Sequence, residues 1–237
     1  MADRGGCLEF MLSGSGNPDA TILIPQYEQV ELTIRVVAQL RRWESTRWPV
    51  VVVDDGSRLE STALVERACR DVRVVRQVHR GVTAAWNAGL RVAATPLVIL
   101  LNNDVTVSGA CVDALLAPLR RGAVVSGVEL RMEGAVPRRV LESVGRREFL
   151  AGWCWAFRRD DVLAIGGFDE SLKLYFSDTD LQARLLSSAG GASEPNVVTG
   201  LPLRHLGHRS TQMLPERRAI WRADRRRFIE KWTGGDR

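Results

Sequence analysis

The chain has 237 residues, 45% of them hydrophobic, with a formal net charge of +5 and a pI near 9.5. That length suits one large α/β domain with a sizeable core. No stretch approaches the roughly 20 apolar residues of a membrane span, and the first residues lack the basic start and apolar run of a secretory signal. Cys7, Cys69, Cys111 and Cys154 lie far apart without CxxC spacing. A structural zinc and a disulfide framework are therefore not expected, and the reduced cytoplasm is the expected compartment.

In chain order, residues 1–19 read as a mobile leader. TILIPQYEQ gives a first strand, Thr21 to Ile24, stopped by Pro25. Val30 to Trp43 carries apolar residues at helical spacing (Leu32, Val36, Val37, Leu40). Val50 to Val53 is a second strand, Ser61 to Arg70 a helix with Ser61 as N-cap, and Val72 to Val75 a third strand. GVTAAWNAGLRVA is a helix and LVILL a fourth strand. This β-α-β-α-β-α-β order implies a parallel sheet with right-handed crossovers. A further helix is predicted over Gly109 to Arg120 and a strand over Ala123 to Leu130. Residues 131–147 are Arg-rich and irregular. AGWCWAFRR reads as a strand leading into a short helix at Asp160 to Ala164. The turn-rich IGGFDE follows, then a helix in DTDLQARLLSSAG and a basic helix from Pro215 onward.

Two apolar runs end abruptly in polar residues: VVVVDDGS, Val50 to Ser57, and LVILLNNDV, Leu97 to Val105. Runs of this kind are strands buried on both faces of a parallel sheet, and ligands bind beyond the carboxyl ends of such strands. Asp54, Asp55 and Asp104 are thus delivered to one edge, where carboxylates are costly to bury without partners. A metal ion and a nucleotide would serve. DDGS and NND are also ordinary turn chemistry.

The segments TILIPQYE, VVVVDDGS, GVTAAWNAGL, LVILLNNDV, GWCWAFRR, GGFDE and FSDTDLQARL stand in the order seen in family 2 glycosyltransferases. The chain resembles that family over residues 21–186, and the bacterial rhamnosyltransferase-like members, which carry NND where others carry DxD, most of all. The resemblance implies a GT-A fold, a Rossmann-like, mostly parallel sheet flanked by helices with a smaller acceptor-side half. It divides the chain into a donor half over 20–125, an acceptor half over 126–212 and a C-terminal basic helix over 213–237. It implies an inverting transfer of sugar from a nucleotide-diphosphate sugar to the hydroxyl of a saccharide, lipid-linked or small-molecule acceptor, with Mg²⁺ or Mn²⁺.

Residue by residue, the resemblance places Pro25, Tyr27 and Glu28 beside the donor nucleotide and Asp55 on its base. A carboxylate there accepts an imide or amide N–H, while Asp54 orients the loop or reaches the ribose side. Arg80, Gly81 and Asn87 are expected to face the donor, glycine at a helix start allowing close approach by an anion. Asn102 and Asn103 precede Asp104, the expected metal ligand; an Asn at the first motif position adds an oxygen but no charge. Trp153, after Gly152, is expected under the sugar and diphosphate, or in the core.

Asp178 falls at the aspartate of the family's ED motif and is the expected general base, with Ser177 where a Glu usually stands. Asp169, Glu170 and Asp180 are expected on the acceptor side, Asp180 alternatively as a structural acid of a first helical turn. In LRHLGHRST, His205 is the expected second metal ligand and His208 the spare; imidazole suits Mn²⁺ better than Mg²⁺. His79 reads as a surface residue. The Arg-rich tail with Trp221, Phe228 and Trp232 packs on the domain or touches an anionic membrane surface. Two other classes remain as alternatives: a nucleotidyltransferase-like enzyme, which would want a basic, Gly-rich loop after the first strand, and an Arg-rich nucleic-acid-binding module. The loop after the first strand is PQYEQ, neither Gly-rich nor basic, a nucleic-acid module has no need of carboxylates gathered at strand ends, and no nucleic-acid partner is expected.

Overall fold

The structure is a computed structural model describing residues 18–189, 193–207 and 215–234. The elements run β1 (Ala20–Gln26), α1 (Val30–Trp43), β2 (Val50–Asp54), α2 (Leu59–Ala68), β3 (Arg73–Arg76), α3 (Val82–Val92), β4 (Leu97–Leu101), β5 (Val105–Val107), α4 (Val112–Arg120), β6 (Val125–Gly127) and β7 (Leu130–Met132). Then come α5 (Arg138–Val144), β8 (Glu148–Leu150), β9 (Cys154–Arg158), α6 (Arg159–Ala164), α7 (Ser177–Ser188), β10 (Asn196–Val197), β11 (Leu203–His205) and a last helix, Arg217–Thr233.

A seven-stranded sheet in the order β10-β6-β9-β4-β1-β2-β3 forms the centre. β1 pairs in parallel with both β2 and β4, and β9 runs antiparallel between β4 and β6. Both faces are covered, as continuous Val/Ile/Leu strands require. Val50 and Val52 face a core shared with α1, α2 and α4, while Val51 and Val53 face one shared with α3, α6 and α7. A third cluster joins α5, Phe149, Phe176 and Ala183 to Phe228 of the last helix.

Several boundaries move. Pro25 does not stop β1, because the ladder to β4 ends at Leu23↔Leu100 while β1 stays paired to β2 through Gln26↔Asp54. The missing N–H of Pro25 falls on the side β4 has left, where proline costs no ladder bond. α2 starts two residues before Ser61, whose hydroxyl donates to Glu28 rather than capping the helix. α4 begins at Val112, preceded by β5, which pairs antiparallel with β11 from Val107↔Leu203 to Val105↔His205. The predicted strand over 123–130 splits into β6 and β7. The stretch read as irregular holds β7 and α5, with Pro137 before α5 and Gly145 left-handed (φ 81°) after it, a start-and-stop pair favoured for helices.

Most of the predicted leader lies outside the described residues, as do Cys7 and His208. Cys69, Cys111 and Cys154 are buried free thiols. No helix among the described residues is long and apolar enough to cross a membrane.

Candidate active site

Because β1, β2 and β4 are parallel, their carboxyl ends open on one edge. A cleft of about 460 Å³ lies there, lined by Pro25, Gln26 and Tyr27 after β1, Asp55 after β2, and Asn102 to Asp104 after β4. Asp178, Trp153, Glu133 and His205 close it from the other side. The residues predicted to meet across the sequence, Asp55, Asp104 and Asp178, therefore share one cavity.

Asp55 is buried, and its carboxylate accepts hydrogen bonds from Gln77 Nε2 (2.7 Å) and from the backbone N–H groups of Arg80 (2.9 Å) and Gly81 (2.8 Å). His79, read from sequence as a surface residue, sits 2.9 Å from the Asp55 carboxylate and stacks on Tyr27 with ring centroids 4.3 Å apart. Tyr27, Asp55 and His79 thus form one wall. Gly81 is required there by conformation (φ 98°), and a Cβ would meet the Lys173 carbonyl at 2.8 Å.

Asp54 turns the other way. It accepts from Thr62 Oγ1 (2.6 Å) and Ser57 Oγ and faces Arg76 at 3.4 Å, so of its two expected roles it orients the loop. Glu28 does not border the cleft. Its carboxylate accepts from the Arg58 N–H (2.7 Å) and Ser61 Oγ (2.9 Å), fastening the β1–α1 turn to α2. Asn87 is also structural: it donates to the Phe168 carbonyl and accepts from the Phe168 N–H, both at 2.9 Å, and so holds the GGFDE turn.

Asp104 is buried, with Oδ1 3.1 Å from His205 Nε2. The β5–β11 ladder sets that distance by pairing His205 with Val105. His205 lies parallel to Trp153 (2°, centroids 5.2 Å), and Trp153 Nε1 donates to Glu129 at 3.1 Å. Two ligands at right angles on a cation about 2.1 Å away lie about 3 Å apart, so this carboxylate–imidazole pair has the spacing of adjacent ligands. The pair fits a Mg²⁺ or Mn²⁺ ion, which takes few protein ligands and fills its shell with phosphate oxygens and water. Asn103 is tied back into the protein, donating to Thr33 Oγ1 at 3.1 Å, and Thr33 in turn donates to Gln26. Gln26 Nε2 is a buried donor left without a partner at the cleft, a polar lining residue that no sequence signal marks.

Asp178 stands in the first turn of α7. Burial pushes its carboxyl above the ordinary range, although the N–H groups of Gly152 and Thr179 favour the charged form. Gly152 is necessary, since a Cβ there would lie 2.3 Å from Asp178 Oδ2. Beside it is Glu133, also held above its usual range by burial first and by the Asp178 charge. Glu133 lies in the stretch read as irregular, where no periodic signal marks it.

The other acidic residues expected on the acceptor side belong to the scaffold. Glu170 pairs with Arg80 and accepts from Asn87 (3.0 Å), so the Arg80 side chain is already engaged although it lines the cleft. Asp169 accepts from Lys231 Nζ at 2.7 Å. Asp180 is wholly buried, bonded to Arg184 (2.9 Å), Lys231 (3.0 Å) and Trp232 Nε1 (3.0 Å). Ser177 is buried with an unpartnered hydroxyl and does not line the cleft.

The last helix does more than shield the domain. Asp224, wholly buried, accepts from the N–H groups of Lys173 (3.1 Å), Leu174 (2.9 Å) and Tyr175 (3.0 Å). This clamp leads directly into Phe176, a non-glycine residue in the left-handed region (φ 63°) whose ring stacks on Phe228 at 5.4 Å. A strained residue persists only where its surroundings fix it, and here it starts the helix bearing Asp178.

Residues 21–165 match the family model described as glycosyl transferase family 2. The chain belongs to glycosyltransferase family 2. Against curated proteins, it is 29% identical over 198 residues to the pre-mycofactocin glycosyltransferase of Mycobacterium tuberculosis, across 74% of this chain and 41% of that protein. The chain thus spans about two-fifths of the length of this relative. Among solved structures, it resembles a mannosyltransferase from Pyrobaculum calidifontis in complex with GDP-mannose and Mn²⁺ (TM-score 0.61, 20% identity, 86% of this chain and 62% of that one). It also resembles glucosyl-3-phosphoglycerate synthase from Mycobacterium tuberculosis, solved with Mn²⁺, UDP and glucosyl-3-phosphoglycerate (TM-score 0.64, 16% identity, 93% and 81% coverage). The fold of this family 2 member is therefore of the GT-A type.

Proposed function

We propose that the cleft moves one sugar from a nucleotide-diphosphate sugar to an acceptor hydroxyl, with inversion at the anomeric carbon. The single observation that carries this reading is the convergence of Asp55, Asp104 and Asp178, from three distant segments, on one cavity. The nucleotide lies along Pro25 to Tyr27, with its base toward Asp55. Asp104 and His205 would hold a divalent cation, Mn²⁺ suiting the imidazole; the ion supplies charge stabilisation for the departing diphosphate. Trp153 lies beneath the sugar.

Asp178 takes the proton from the acceptor hydroxyl as that oxygen bonds to the anomeric carbon. The bond from that carbon to the diphosphate breaks, and the nucleoside diphosphate leaves with the electron pair. A carboxyl raised by burial is a better proton acceptor than an exposed aspartate. The division into a donor half over 20–125 and an acceptor half over 126–212 follows the same roles, with β9 uniting the two in one sheet.

A thermal-shift panel of UDP-, GDP- and dTDP-sugars, with and without Mn²⁺, tests this. One nucleotide is expected to stabilise the protein only with metal, and Asp104→Ala to abolish the effect. Asp178→Ala is expected to retain it and lose transfer. Normal transfer by Asp178→Ala would overturn the assignment of the base.

A further inference from the structure

The cleft also has an aromatic and apolar lining, Ala135, Phe149, Tyr175, Ile220 and Trp221, the last two from the last helix, beside the polar Arg131, Lys173, Thr179 and Glu216. A second cavity, about 340 Å³, lies against the same Tyr175 and Trp221 and is lined otherwise by Arg217, Arg218 and Arg222. Positions 217, 218, 221 and 222 lie on one helical face by spacing. The three arginines are exposed, and none forms an ion pair with a described residue. Trp221 is 36% exposed, its ring 5.8 Å from the Arg225 guanidinium and 6.3 Å from Phe176. The Asp224 clamp on residues 173–175 fixes this face one turn away, so the aromatic pair is positioned by buried hydrogen bonds.

We propose that the acceptor is an amphiphile. Its alkyl or aryl segment lies against Tyr175 and Trp221, and an anionic group, phosphate or carboxylate, is taken by Arg217, Arg218 and Arg222. The inference rests on the glycosyl-transfer reading, since it assigns this part of the cleft to the acceptor. Two aromatic rings give a large apolar contact at small cost in side-chain freedom, and guanidinium groups match planar oxyanions.

The probe is octyl phosphate below its micelle concentration, titrated calorimetrically, with inorganic phosphate and octyl glucoside as controls. Saturable binding of octyl phosphate is expected, with both controls at least about tenfold weaker. Arg217→Ala/Arg218→Ala/Arg222→Ala should weaken it about tenfold, as three exposed charge contacts would. Trp221→Ala should weaken octyl phosphate but not inorganic phosphate, and Trp221→Phe should recover most of the loss. Circular dichroism checks that each variant folds. Sedimentation with phosphatidylglycerol vesicles separates two sources of the same chemistry: binding of octyl phosphate alone supports a soluble acceptor, and binding of both a lipid-borne one. Vesicle binding without octyl phosphate binding overturns the proposal. So does octyl phosphate binding no tighter than octyl glucoside, or unchanged in the triple variant. UDP and GDP binding with Mn²⁺ is measured on the same proteins. If it weakens in the triple variant as much as octyl phosphate binding, the arginines serve the donor diphosphate and the proposal fails. If the wild type binds octyl phosphate but no nucleotide, the transfer reading fails while the amphiphile site stands.

Discussion

Gly152→Ala adds one methyl group and should disable Asp178 from the neighbouring strand end. An ideal Cβ at residue 152 would lie 2.3 Å from Asp178 Oδ2, 2.8 Å from Cγ and 3.1 Å from Cβ. An ordinary carbon–oxygen contact needs about 3.2 Å or more, so the carboxylate must retreat by roughly 0.9 Å. Asp178 lies in the first turn of α7, just after the left-handed Phe176, so the backbone beneath it has little freedom to follow. Displacements near 1 Å at reacting groups cost about 100-fold in rate. Overpacking costs about 1–3 kcal/mol, or roughly 2–12 °C in Tm for a chain of this size. The expected result is kcat lower by about 100-fold with nucleotide and Mn²⁺ binding retained. In an Asp178→Ala background the same methyl group meets no carboxylate and keeps only the 3.1 Å approach to the residue 178 Cβ, so the Tm loss should be clearly smaller there. A Gly152→Ala enzyme of normal kcat, or an equal Tm loss in both backgrounds, would refute the reasoning.

Because burial raises the Asp178 carboxyl, its charge costs stability. Asp178→Asn should therefore be more stable than wild type near neutral pH, with the difference disappearing as pH falls below the ordinary aspartate value of about 4; differential scanning calorimetry against pH checks this. The Asp178 charge helps to hold the Glu133 carboxyl up, so Asp178→Asn should bring the Glu133 titration down toward its ordinary value, read by NMR against pH. Burial pushes the Asp169 carboxyl up, but hydrogen bonds from Lys231 and Ser171 outweigh it and hold the group down to about 2. That contribution to stability is present at neutral pH and lost as pH falls from about 4 toward 2, so Lys231→Met should shift acid unfolding to higher pH. Asp224→Ala leaves three N–H groups of residues 173–175 without their acceptor and should cost about 3 kcal/mol or more, measured by urea unfolding.

The donor edge was legible in the residues because its determinants are local. An apolar run such as Val50 to Val53 declares a strand buried on both faces, and the polar residues after such a run fall at the edge where parallel strands end. The resemblance then named Asp104, His205 and Asp178. It put Asp55 on the base and left Asp54 between the loop and the ribose side; Asp54 is bonded to Thr62 and Ser57, away from the cleft. It placed Glu28, Asn87, Asp169 and Glu170 beside ligands, and Asp180 either there or as a structural acid; in the structure each is bonded to other parts of the chain. Their partners lie far along the chain: Arg80 is 90 residues from Glu170, and Lys231 is 62 from Asp169 and 51 from Asp180. An acidic side chain carries the same letter whether it meets a substrate or a buried lysine.

Periodicity and chain direction depend on neighbouring residues, so the alternation of strands and helices and the edge on which the cleft opens are written locally in the chain. Which carboxylates face the cleft, the placing of Glu133 beside Asp178, and the last helix as part of the cleft wall are set by folding. Those outcomes depend on burial and on hydrogen bonds between segments the chain brings together only when folded.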